Sequence, residues 1–288
     1  MADYKYEDNT LKKLQEIELS ILNDFSKICD ENNLDYFLVG GSAIGVLRHK
    51  GFIPWDDDID VGMSRKDYDK FLAIAKDQYS DRYTIVNNQE RADFPLMNTR
   101  WGLNGTQFVP EDFKNVKGDF GIFLDIFCFD NIPDDDKEMR KQGTWAWFWG
   151  KLLVVSGVPK PVLYVYGIKA KIVLFVYFFA HRIFKILHLK PRLFYNKASK
   201  HMLKYKDVET KRMAYMFDPS RFTSIVNKAD IYPTQKRKFE NIEVRVPHKV
   251  EEYLATRYGD YMQLPPEDKR HNHPPYILDF GEFGDNDL

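Results

Sequence analysis

Four carboxylates crowd five consecutive positions at Asp56, Asp57, Asp58 and Asp60, with Ile53 and Trp55 before them and Val61 and Met63 after. In an extended segment alternate side chains share a face, so Asp56, Asp58 and Asp60 project together while Asp57 and Ile59 point away. Ionised carboxylates this close repel and need either a cation or a raised pKa. Oxygen-only ligands suit Mg²⁺ or Mn²⁺ better than zinc. A solvated acidic turn explains an Asp-rich run equally well when the run is taken alone. Asp125 shifts the balance, because in GIFLDIFCF it shares a strand face with Phe123 and Phe127 while Leu124 and Ile126 cover the other. Burying an unpaired carboxylate costs several kcal/mol, roughly, unless something compensates it. A divalent ion held by Asp58, Asp60 and Asp125, with Asp56 beside them, would compensate. The competing arrangement is an ion pair with a base such as Arg100, or a strand end open to water.

LVGGSAIGVLRHKG supplies the other half of such a site. Gly40 and Gly41 let the backbone approach a ligand, Ser42 offers a hydroxyl, and the helix that follows aims its first amides at an anion. Val46 and Leu47 stand where a Walker A loop needs Lys and Ser/Thr, so this is not a P-loop.

The elements that must position these groups read as an α/β fold. Leu11, Leu14, Ile17, Ile21, Phe25 and Ile28 recur at helical spacing behind a possible Thr10 cap. YFLVGG then reads as a buried strand, SAIGVLRH as a short helix, IDVGM as a strand and SRKDYDKFLAIAKD as a helix. YTIVNN, FPLMNTRW and GIFLDIFCFD complete a mixed sheet. NIEVRV and HKVEEYLATRYG read as a later strand and a helix stopped by Gly259.

LVGGSAIGVLRHKGFIPWDDDIDVGM resembles the signature of the LicD-type phosphocholine transferases, relatives of fukutin within the nucleotidyltransferase-fold superfamily. That pattern is a Gly-Gly or Gly-Ser turn, an Asp-x-Asp shortly afterwards and a third carboxylate on a neighbouring strand. Gly41-Ser42, Asp58-Ile59-Asp60 and Asp125 match it, and NTRW, GDFGIFLDIFCFD and YGDYMQLPP also look like family segments. The resemblance covers about residues 33–130 strongly and 244–275 more loosely, whereas the middle of the chain has no clear match. It implies transfer of phosphocholine from CDP-choline, or a related CDP-alcohol, to a hydroxyl of a cell-envelope glycan such as teichoic acid or a lipopolysaccharide precursor. Catalysis would then rest on Asp58, Asp60 and Asp125 with Mg²⁺ or Mn²⁺. Gly40, Gly41 and Ser42 would hold phosphate, and Arg48 and Arg100 could neutralise the departing CMP. Trp55 and Trp101 could face a quaternary ammonium, and His271 and His273 could contact phosphate or acceptor. The rival enzymes are a nucleotidyltransferase or a glycosyltransferase working on an NTP or another activated donor; the rival without activity is a degenerate membrane scaffold.

Composition sets the remaining bounds. With 288 residues, 44% of them hydrophobic, the chain can bury a large core. The net charge of -1 conceals an asymmetry, since fourteen Lys or Arg and no Asp or Glu lie between Met139 and Lys206. The expected organisation is a nucleotidyltransferase-like core over 1–138, a basic apolar helical insertion over 139–206, and a C-terminal part over 207–288 that completes the face of the site. Basic groups interleaved with Trp and Phe suit the surface of an anionic membrane, and equally a groove for an anionic glycan. No recognisable nucleic-acid module accompanies them, so no nucleic-acid partner is expected. From Trp145 to Leu189 the longest uncharged run, Ile172–Ala180, is about half of the roughly 20 residues that span a bilayer. Cys29 and Cys128 lack metal spacing and read as buried thiols. With no basic-apolar leader in view, the expected location is cytoplasmic, at the inner face of the membrane.

Overall fold

The computed structural model describes residues 6–116, 118, 120–161, 167–267, 270, 272–273 and 275–284, with the backbone alone at 169. Helix α1 (Asp8–Glu31) buries the predicted stripe, Leu14, Ile17, Ile21, Phe25 and Ile28, against the core. It starts behind Glu7, so Thr10 lies in its first turn and caps nothing; Asp8, acidic at a helix N-terminus, favours the earlier start. Strand β1 (Phe37–Leu38) is only two residues long, because helix α2 (Gly40–Arg48) begins at the first glycine. Strand β2 (Asp60–Ser64) runs antiparallel to β1. Ser64 then caps helix α3 (Arg65–Gln78), its hydroxyl oxygen accepting from the Asp67 amide at 3.2 Å.

Strands β3 (Tyr83–Val86) and β4 (Thr99–Leu103) pair antiparallel, β5 (Gln107–Pro110) leaves the sheet, and β6 (Phe123–Ile132) returns through its middle. The order is β1-β2-β6-β4-β3, with β2 parallel to β6 and its neighbours antiparallel. Ten residues make β6 long enough for two tasks. Its first part pairs β2 and β4, and Asp130–Ile132 pair a later strand. The expected mixed sheet with flanking helices is therefore present.

The basic segment forms helices α4 (Asp136–Gly157), α5 (Gly167–Ile186) and α6 (Pro191–Met202). Met139 and Ala146 of α4 pack with Ala214 of strand β7 (Arg212–Tyr215), which joins β6 to β8 (Ser224–Asn227). After the short helix α7 (Lys228–Ile231), strands β9 (Gln235–Phe239) and β10 (Ile242–Val246) form a hairpin. Helix α8 (Val250–Tyr258) stops at Gly259, whose φ of 67° few other residues adopt, and β11 (Pro275–Asp279) pairs β5. Both cysteines are buried and free.

One aromatic cluster ties α1 to the sheet. Phe25 meets Tyr36, Phe71 and Trp101 edge-on at centroid distances of 5.0, 4.7 and 6.3 Å. Each such fully buried side chain contributes roughly 1.5–3 kcal/mol of transfer free energy. This packing also fixes which face of α1 lies beneath the acidic segment.

Candidate active site

The acidic segment is not a free turn, for it is clamped by distant parts of the chain. Gln15 of α1 donates to the Asp56 carbonyl at 2.8 Å, and Glu240, at the β9–β10 turn, accepts from the Phe52 amide at 3.0 Å. Asp57 is buried, and contrary to the expected alternation it stays close to Asp58, both carboxylates reaching the His273 ring, because the 56–59 stretch is not a regular strand. The Asp57 carboxylate accepts from the Tyr6 hydroxyl at 2.8 Å and from the His273 amide at 2.8 Å, so it fastens the C-terminal segment to the loop.

Asp60 opens β2, and its parallel register places it directly beside Asp125 of β6. Its amide donates to Ser42 Oγ at 2.9 Å, which locks the start of α2 against β2. The two glycines of the turn lie under the carboxylates. A Cβ on Gly40, whose φ is +60°, would sit 2.9 Å from Asp60 Oδ2, and one on Gly41 would sit 2.6 Å from Asp56 Oδ2. Any side chain at Gly41 would collide with the cluster.

The electrostatics are those of uncompensated negative charge. Burial, then Asp58, Asp125 and Asp56, push Asp60 well above the ordinary carboxylate range. Burial and then Asp58 and Asp57 raise Asp56 likewise. Burial also raises Asp58, against the opposing His273, whose Nδ1 lies 3.4 Å away. The Asp58 side chain keeps 23% of its surface exposed, so it can meet a ligand.

Asp125 has the arginine that the rival reading required. Arg100 Nε lies 3.5 Å from its Oδ1, and Asn98 donates to the same oxygen at 2.6 Å. The pairing is incomplete: burial outweighs Arg100, and Asp125 is still raised to about 6. Arg100 is also held between rings, 4.0 Å from the Phe123 centroid and 5.0 Å from that of Phe113.

Among the described residues, the three ligand atoms that lie within 4.8 Å of one another belong to Asp57, Asp58 and His273. Asp57 and His273 are drawn together by the bonds that close the loop. Asp58, Asp60 and Asp125, the expected ligand set, do not all come within that distance of one another, although Asp60 feels the charge of both Asp58 and Asp125. The donors are oxygens with a single imidazole, and their charges are only partly offset, which fits a hard divalent cation.

The other expected contacts fare differently. Trp101 is fully buried and stacks on Tyr83 at 3.8 Å, so it belongs to the core and cannot receive a ligand; β4 is covered on both faces. Trp55 already carries a cation, the Arg270 guanidinium 4.6 Å from its ring centroid. Arg48 donates to the Tyr261 carbonyl at 2.8 Å and so braces the turn after α8, though it remains within the field of Asp56. His271 lies outside the described residues. Glu18 and Asn98 were not foreseen. Glu18 is buried on the apolar stripe of α1, its proton affinity raised by burial and then by Asp58 and Asp57, and a charged residue on that stripe was the available signal. Asn98 adjoins β4 as the first residue of NTRW, and that family-like segment was the available signal for it.

The raised carboxylates fix the sign of a pH effect. A carboxyl with a higher pKa folded than unfolded binds protons more tightly in the native state, so stability falls as pH rises through that interval. For Asp125 the interval runs from about 4 unfolded to about 6 folded. That amounts to about 3 kcal/mol from this one group. The melting temperature of the metal-free protein is expected to rise as pH is lowered from 7.5 towards 5, which differential scanning fluorimetry reads directly; a monotonic fall would contradict the burial described here.

Residues 33–150, which span the glycine turn, Asp58, Asp60 and Asp125, match the family described as LicD/FKTN/FKRP, nucleotidyltransferase domain. That stretch is similar to the nucleotidyltransferase domain of the LicD family. The likeness to one member extends well beyond that domain. The lipopolysaccharide cholinephosphotransferase LicD of Haemophilus influenzae is 29% identical over 291 aligned positions, covering 93% of this chain and 98% of its own. An uncharacterized protein of Rickettsia typhi is 32% identical over 69 residues, 24% of this chain and 22% of its own. The LicD alignment therefore includes the basic helices, for which the sequence alone offered no family counterpart.

Proposed function

We propose that this protein transfers phosphocholine from CDP-choline to a hydroxyl of a cell-envelope glycan, of lipopolysaccharide or teichoic-acid type, with Mg²⁺ or Mn²⁺. The observation that carries the reading is Asp60 set beside Asp125 over the Gly40-Gly41 turn, within a chain alignable end to end with a cholinephosphotransferase. The acceptor oxygen attacks the phosphorus that bears choline, the bond to the CMP oxygen breaks, and the acceptor proton must leave. Asp125, raised to about 6, is ionised at neutral pH and basic enough to take that proton. The first amides of α2 would favour an anionic donor, and the glycines keep the turn free of side chains beneath the carboxylates. Asp58, Asp60 and Asp125, with Asp56 adjacent, would hold the divalent ion, which when bound neutralises charge on the donor's phosphates. Arg100 lies on the other side of Asp125, where it can offset the charge of CMP.

Incubation with Mg²⁺, CDP-choline and a choline-free lipopolysaccharide or teichoic-acid acceptor is expected to release CMP and to label the glycan. Loss of both on chelation is part of the expectation. Turnover only with an NTP or a UDP-sugar would replace this reading with that of a nucleotidyltransferase or glycosyltransferase.

A further inference from the structure

Helix α5 is the element that the active site does not explain. None of its described side chains is buried, although it is among the most apolar segments of the chain. One side faces the protein: Tyr177 donates to the Val154 and Val158 carbonyls at 3.0 and 2.7 Å, the His181 ring bonds the Val155 carbonyl at 2.8 Å, and Phe184 stacks on Phe194. These contacts satisfy the last carbonyls of α4 and fix how α5 is rotated. The opposite side then presents Ile172, Phe175, Phe179, Ile183 and Ile186 to solvent, exposed by 58, 63, 49, 50 and 73%. At 100° per residue these fall on one stripe, and exposed Lys171, Arg182 and Lys185 run along one of its edges.

A contiguous apolar stripe on a monomer marks an interaction surface. Charge identifies the occupant. Fourteen basic and no acidic residues lie between Met139 and Lys206, so the surroundings of the stripe attract anions and offer a protein partner no acidic counterpart. No single helix among the described residues is long and apolar enough to cross a bilayer. The α5–α6 pair passes by length and composition but bends by 108°, and α6 buries Phe194, Ala198 and Met202 inside the protein.

We infer that α5 lies in the plane of an anionic membrane surface, its Ile172–Ile186 stripe among the acyl chains and Lys171, Arg182 and Lys185 at the head groups. The site would then open close to the lipid. Val158, just past α4, packs in one cluster with Phe113, whose ring faces Arg100, which faces Asp125. A membrane-docked α5 thus lies only a few side chains from the reacting groups, which suits an acceptor still attached to lipid. The docking itself does not depend on the proposed reaction.

Flotation of the full-length protein with phosphatidylcholine vesicles, with and without phosphatidylglycerol, tests this without any activity readout. The wild type is expected to float with the anionic vesicles. Neutralising Lys171, Arg182 and Lys185 to glutamine should lower partitioning on the order of 100-fold, given the attraction per basic residue at such a surface. Replacing Ile172, Phe175, Phe179 and Ile183 with glutamine should abolish it, and melting curves like the wild type's would show that both variants fold. Wild type left in the soluble fraction with anionic vesicles overturns the inference. So does a dimer that the apolar variant dissolves and that vesicles do not disrupt, because the stripe would then belong to a second copy of the chain.

Discussion

Asp60→Asn is expected to lower CMP release from CDP-choline by a factor on the order of 10³ and, in the same protein, to raise the melting temperature without metal. The two effects share a cause. Asp60 is half-buried beside Asp125 in the parallel register, and Asp58, Asp125 and Asp56 all work against its ionisation. Holding its charge there costs the free protein stability, and the return is negative potential where a divalent ion and the donor's phosphates meet. Asparagine keeps the shape and removes the charge. The activity loss is set against the 10²–10³ typical of deleting one electrostatic contact to a transition state, with the weakened ion site added. Asp57→Asn is the contrast, for Asp57 spends its carboxylate on Tyr6 and His273; losing those bonds should lower stability and loosen the loop, outweighing the repulsion from Asp56 and Asp58 that is relieved. An Asp60→Asn enzyme with undiminished turnover would sink the site as described.

The second large effect concerns the scaffold. Arg65, the first residue of α3, grips Asp130 of β6 with two parallel bonds, Nε to Oδ1 at 2.8 Å and Nη2 to Oδ2 at 2.9 Å. The Asp130 side chain is 1% exposed and that of Arg65 15%. Removing either partner leaves an uncompensated buried charge, so Arg65→Ala or Asp130→Ala should cost about 3–5 kcal/mol, roughly 10 °C in melting temperature for a chain of this size. The double replacement Arg65→Met with Asp130→Leu should recover much of it, since a well-packed apolar pair often equals a buried ion pair. Thermal and urea unfolding of the three variants measures this. The pair pins the end of β2 and the start of α3 to β6, and this same contact keeps Asp60 level with Asp125. Single variants should therefore lose activity as well, and a variant that keeps its melting temperature would show that the pair is not structural.

The local half of the site was written in the chain. Alternation along Asp56–Asp60 did not turn Asp57 away from Asp58, since both reach His273, but the glycines led directly into α2, and a carboxylate inside GIFLDIFCF proved to be buried on a central strand. Such features depend on period and residue type, which a few neighbouring residues fix. Trp101 was misjudged because adjacency in sequence says nothing about which side of β4 is covered, and both sides are. The partners of the acidic groups were out of reach for the same reason. Asn98 and Arg100 reach Asp125 through the pairing of β4 with β6, Glu18 arrives from the first helix, and His273 comes from more than two hundred residues away. Sequence by itself determined that buried carboxylates would sit beside a glycine turn, because burial and repulsion are properties of the residues. Only the tertiary structure decided how they are partnered, because the parallel register of β2 and β6 and the closure of both chain ends over the loop arise from contacts far apart along the chain.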